Sequence, residues 1–74
     1  MAQRKVYRVV PNGSRWQVKH DGVVLSNHDT KQPAIDSGRR VALANQPSQL
    51  VIHLANGTIE TEWTYGDDPY PPKG

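Results

Sequence analysis

The chain has 74 residues, with nine Lys and Arg against seven Asp and Glu, six Gly, six Pro and no Cys, and 35% of it is hydrophobic. That length suits one small domain with a stability of about 4 to 8 kcal/mol, which leaves little margin for a strained or deeply polar active site. Lack of cysteine rules out a disulfide framework, a thiolate metal site and a thiol nucleophile, and apolar runs of at most four residues, at Val41 to Ala44, resemble neither a membrane span nor a signal-peptide core. The expected location is the cytoplasm, with no membrane partner. The net charge of +2 hides a split, because residues 1 to 40 carry eight basic and three acidic side chains and residues 41 to 74 carry one and four. Such an asymmetry suits an anion-binding face, although a short chain also produces it by sampling.

Taken from the N-terminus, the first signal is Asn12-Gly13 between two strand-like runs. Asn-Gly tolerates the positive φ that a two-residue hairpin loop demands at its central positions. A loop of Asn12 and Gly13 pairs Val9 with Trp16, Tyr7 with Val18 and Lys5 with His20. Tyr7, Val9, Trp16 and Val18 then share one face, and Val6, Arg8, Val10, Arg15, Gln17 and Lys19 share the other. A second turn at Asp21-Gly22 puts Val23 opposite His20 and Leu25 opposite Val18, again on the apolar side.

Thr30 to Gln46 is the segment with helical character. Thr30 serves as the N-cap, Pro33 falls in the first turn where its missing N–H does no harm, and Pro47 marks the end. Ala34, Ile35, Gly38, Val41, Ala42 and Asn45 follow the helical period as a stripe of mostly small residues. A mid-helix glycine costs about 1 kcal/mol relative to alanine, so Gly38 implies close approach to the sheet, beneath Trp16 or Trp63. Arg39, Arg40 and Asp36 belong to the outer surface.

A last hairpin about Asn56-Gly57 pairs Leu54 with Ile59, Ile52 with Thr61 and Leu50 with Trp63, making one apolar face. His53 then lies across from Glu60, and Val51 across from Glu62. The predicted fold is α+β, in the order β-β-β-α-β-β, an antiparallel sheet with one helix packed on one face. Residues 1–66 form this single domain, and residues 67–74 read as an extended, mobile tail. Pro69-Tyr70-Pro71-Pro72 has the composition of a polyproline II ligand but more commonly marks a solvated terminus. One helix covers only about half of the apolar positions and leaves open strand edges, which makes a homodimer a candidate assembly.

Several of these elements, in order, are Tyr7-Arg8-Val9-Val10-Pro11, Gly13-Ser14-Arg15-Trp16-Gln17-Val18, His28-Asp29-Thr30, Ala34-Ile35 with Val41-Ala42, Leu50-Val51-Ile52-His53, Asn56-Gly57-Thr58-Ile59 and Thr64-Tyr65-Gly66. Over about residues 5 to 66 this series resembles the small bacterial family catalogued as domain of unknown function 2188. The resemblance implies a short prokaryotic or phage-borne domain and transfers no catalytic residue. At the helix start the family commonly has Glu where this chain has Pro33, which removes a capping-box contact to Thr30.

The chemistry-bearing residues form no strong constellation. His20, His28 and His53 lack metal-ligand spacing. His53 opposite Glu60 could act as a general base, but cross-strand His–Glu pairs commonly do no more than stabilise a sheet. His28, just before Asp29-Thr30, belongs to the start of the helix. Ser14, Ser26, Ser37 and Ser48 have no nucleophile elbow and no evident base partner. Glu60 and Glu62 project on one side about 7 Å apart, near a glycosidase spacing, yet without a cleft they read as solubilising charges. No enzyme, cofactor, metal or small-molecule substrate is predicted.

The basic set is sharper. Arg8, Arg15, Gln17 and Lys19 share a sheet face, with Arg39 and Arg40 as auxiliary phosphate contacts, so the leading expectation is a binding module for nucleic acid or another polyanion. The bland reading is that these are the solvated sides of amphipathic strands, with charge blocking aggregation. The alternative function is protein interaction or homo-oligomeric assembly through an open edge or uncovered apolar face, without nucleic-acid binding.

Overall fold

The computed structural model describes residues 4–66, so the tail expected at 67–74 lies outside the described residues. The elements are β1 (Lys5–Asn12), β2 (Arg15–His20), β3 (Val23–His28), α1 (Lys31–Ala44), β4 (Ser48–His53) and β5 (Ile59–Tyr65). They build one sheet ordered β3-β2-β1-β4-β5 with α1 on one side. The element order is the expected one. The sheet, however, is mixed rather than antiparallel, because β1 and β4 run parallel, with Tyr7 beside Leu50 and Val9 beside Ile52. Tight turns make each hairpin antiparallel, but α1 lies back across the sheet, so β4 starts at the end where β3 started and runs in the same direction. Two hairpin reversals have already made β3 parallel to β1, and β4 therefore docks parallel to β1.

The first hairpin keeps its faces while its register moves. In the first hairpin Asn12 pairs with Arg15 and Val9 with Val18, so the loop is Gly13-Ser14 and the pairing lies two residues from the predicted one. Positive φ is confined to Gly13, at 63°, which suits a turn with glycine at its first central position. A shift of two preserves the side-chain period, and Tyr7, Val9, Trp16 and Val18 still share a face. At the second turn Asp21 and Gly22 both have positive φ, 52° and 79°, and Val23 does lie opposite His20.

Beyond that turn a β-bulge intervenes. Ser26, not Leu25, is opposite Val18, and the unpaired Leu25 is exposed. The last hairpin has a similar correction. Leu50–Trp63 and Ile52–Thr61 pair as expected, but His53 lies opposite Ile59 and Glu60 is the extra residue. Leu54 and Ile59 are exposed instead of forming an apolar pair.

The core lies between the sheet and α1 and contains Tyr7, Val9, Val18, Leu50 and Ile52 from the strands and Ala34 and Ala42 from the helix. Trp16, Ile35, Val41 and Tyr65 pack around its margin. Close approach occurs at Gly38, but over the aliphatic centre rather than beneath either tryptophan. A Cβ there would meet Leu50 Cδ1 at 2.9 Å and Val9 Cγ2 at 3.2 Å. Arg39, Arg40 and Asp36 are exposed, as expected.

The helix ends are satisfied unequally. Thr30 occupies the N-cap with extended backbone but makes no side-chain cap bond. At the C-terminus Asn45 Nδ2 donates to the Val41 carbonyl at 2.8 Å, Gln46 Nε2 to that of Leu43 at 3.1 Å, and the buried Ser48 hydroxyl to that of Ala42 at 2.5 Å. The Asn45 and Gln46 side chains occupy carbonyls that a helix end otherwise leaves open, and the Ser48 hydroxyl joins the Asn45 N–H on the Ala42 carbonyl.

Gly38→Val tests the layer spacing. Overpacking at a filled site costs about 1 to 3 kcal/mol, and a β-branched residue recovers little in helix propensity. Urea unfolding is expected to show a loss of about 2 kcal/mol; a variant as stable as the parent would mean that helix and sheet are not in close contact.

Candidate functional site

Alternation along β1 and β2 is what assembles the polar face. Arg8 pairs with Lys19, Val10 with Gln17 and Asn12 with Arg15, all on the side away from the helix. Arg8, Gln17 and Lys19 border an open trough of about 690 Å³ whose floor includes Val6 and Val10 and whose rim includes Asp21. Three of the four sheet residues expected to bind a polyanion thus meet in one depression.

The fourth is nearby but engaged. Arg15 Nε lies 3.0 Å from Asp29 Oδ1, with both side chains mostly exposed, so water and salt compete for this pair. Gln17 Nε2 donates to Asn27 Oδ1 on β3 at 3.0 Å. Arg39 and Arg40 are not brought to this site, because they follow Gly38 on the helix and the helix lies against the opposite face. The other edge of the open face is acidic, where Glu62 accepts from Gln49 Nε2 at 2.6 Å. Charge on this face therefore runs from cationic on β1 and β2 to anionic on β5.

His53 joins this network in place of the expected His–Glu pair. Its Nδ1 is 2.8 Å from the Gly57 carbonyl and its Nε2 is 3.3 Å from Arg8 Nη1. A carbonyl accepts only, and a guanidinium donates only. The arrangement thus requires the proton on Nδ1 and leaves Nε2 as the acceptor that orients Arg8. Glu60, displaced by the bulge, instead forms an ion pair with Lys31 of α1, whose Nζ sits 5.1 Å from the centre of the Trp16 ring. That contact pins the start of the helix to both hairpins.

His20 and His28 are occupied elsewhere. His20 stacks on Tyr7 with ring centres 4.6 Å apart, and its Nδ1 lies 3.0 Å from the Val6 carbonyl. His28 Nε2 lies 2.9 Å from Ser26 Oγ, which is also 3.3 Å from Ser37 Oγ on α1. Sequence reasoning missed the link to Ser37 because the bulge at Leu25 is what brings Ser26 opposite Val18 on the helix side. The three groups tie the edge strand to the helix. Among the described residues no three His, Asp or Glu side chains gather as a metal-binding group, and no helix is long and apolar enough to cross a membrane.

Residues 7–65 match the model of a family described as an uncharacterized protein conserved in bacteria. The chain belongs to the DUF2188 family. The DUF2188 match runs from Tyr7 in β1 to Tyr65 at the end of β5, so it takes in the helix, both hairpin bulges and the whole Arg8–Lys19 face. No curated protein and no solved structure matches the chain.

The histidine geometry is directly testable. Long-range proton–nitrogen NMR is expected to show His53 as its Nδ1–H tautomer, since Nδ1 faces the Gly57 carbonyl and Nε2 the Arg8 guanidinium. An Nε2–H signature for His53 would contradict its contact with Arg8, and Arg8→Gln is expected to change the His53 Nε2 shift.

Proposed function

We propose that this domain acts by binding rather than catalysis, and that its open sheet face takes a single-stranded nucleic acid through the phosphate backbone. The observation that carries this reading is the Arg8–Lys19 pair, two cations directly opposite each other on adjacent strands beside an open trough. Arg15 extends the row along β2 and Gln17 lies between, so an extended polyanion can follow the strand direction.

Shape favours a single strand over duplex. Five strands spaced about 4.8 Å apart make a face about 19 Å across, wider than the roughly 12 Å major groove. Reading of that groove suits a narrow two-stranded ribbon, not this surface. Sidedness favours phosphate over base contacts, since Tyr7 and Trp16 belong to the helix side and offer no stacking platform on the open face. Binding of this kind is weakly sequence-selective and strongly salt-dependent.

Fluorescence anisotropy with labelled mixed-sequence single-stranded DNA tests the proposal. Three phosphate contacts, by Arg8, Arg15 and Lys19, imply a slope of about −2 for log affinity against log salt. Arg8→Gln and Lys19→Gln are each expected to reduce that slope by about 0.7, whereas Arg39→Gln and Arg40→Gln leave it unchanged. Absence of binding at low salt, or equal loss from the helix and sheet variants, would reject the sheet-face site.

A further inference from the structure

We propose that two copies of this chain join edge to edge through β5, in an antiparallel register centred on Trp63. The helix packs on β1, β2, β3 and β4 but barely reaches β5. Trp63, opposite Leu50 and so on the helix side, is consequently 49% exposed despite its size. Among the described residues the outer edge of β5 has no strand beside it, and its main-chain groups from Thr61 to Tyr65 continue an uninterrupted ladder with β4. An apolar flank beside an unpaired edge is the combination that promotes strand addition.

Charged residues usually protect such an edge, and β5 carries two. Both are turned to partners within the chain: Glu60 pairs with Lys31, and Glu62 accepts from Gln49 on β4. These bonds draw the carboxylates inward, away from the open edge. The opposite edge, β3, also exposes Val23, Val24 and Leu25, but the bulge at Leu25 interrupts it mid-strand. A long ladder cannot form there without repair of the bulge.

Charge also narrows the choice of register. A two-fold axis at Thr61 sets Glu60 opposite Glu62 twice, and an axis at Glu62 sets that residue opposite itself. An axis at Trp63 opposes no like charges. It places Trp63 against its own copy, Thr61 against Tyr65, Glu62 against Thr64 and Glu60 against Gly66, pairing aromatic and β-branched side chains on the face the helix leaves bare. Because the axis is normal to the sheet, both helices lie on one side and flank the paired indoles. The assembly is independent of polyanion binding, which uses the other face.

Sedimentation equilibrium on the full chain, across a wide concentration range, is the primary test. The expected result is twice the 8.3 kDa chain mass, retained in high salt. Trp63→Lys is expected to sediment as a monomer with unchanged far-ultraviolet circular dichroism, and Val24→Lys, on the β3 edge, as a dimer. The chain has no cysteine, so single cysteines report the register without interference from native thiols. Trp63→Cys should cross-link to its copy on oxidation, since opposed residues lie within disulfide reach, and Thr64→Cys, diagonal to its copy in this register, should not. A monomeric parent at every concentration, a dimer that survives Trp63→Lys, or preferential cross-linking at Thr64→Cys would overturn the proposal. If Trp63→Lys fails to fold, the parent mass and the cysteine pair still decide it.

Discussion

At Gly38 the backbone of the helix comes near enough to the sheet that a single added methyl would press on Leu50 and Val9. Ala34 and Ala42, one turn to either side, are wholly buried and almost as small. This ridge seats the helix over β1, β2 and β4, and the branched side chains of Val9, Val18, Leu50 and Ile52 rise to meet it. In a domain of this size, such contact supplies most of the apolar burial that offsets chain entropy. A helix held so centrally cannot also cover the fifth strand, and the exposed apolar margin at β5 follows from the close packing at the centre.

The alternation of side chains along the strands adds a second constraint. It directs Tyr7 and Trp16 to the helix side and Arg8, Gln17 and Lys19 to the open side. The two surfaces therefore differ in chemistry. One has cations and amides over an aliphatic floor, the other has aromatics beside an unpaired edge. That division is why a polyanion and a second copy of the chain can be assigned to separate surfaces without conflict.

Much of this was legible because turn chemistry and strand period are local. Asp21-Gly22 adopted the expected turn, and the first hairpin kept its faces even though its loop moved from Asn12-Gly13 to Gly13-Ser14, because a shift of two leaves the alternation intact. The cationic row depended only on that alternation. The bulges at Leu25 and Glu60 were not legible, since an unpaired residue leaves no mark on composition or spacing. Each redirected chemistry: Ser26 came to the helix side beside His28, Glu60 went to Lys31, and His53 turned to Arg8 instead.

By itself the sequence determined the number and order of the elements, the side of the sheet that each residue of β1 and β2 occupies, the small-residue stripe of the helix and the family to which the chain belongs. These depend on local backbone preference and on a period of two or 3.6 residues. Only the tertiary structure decided that β4 runs parallel to β1, that Gly38 lies over Leu50 rather than beneath a tryptophan, and that Arg39 and Arg40 stand apart from Arg8 and Lys19. Those outcomes depend on where one helix settles across five strands, and that position is set by packing among residues far apart in the chain.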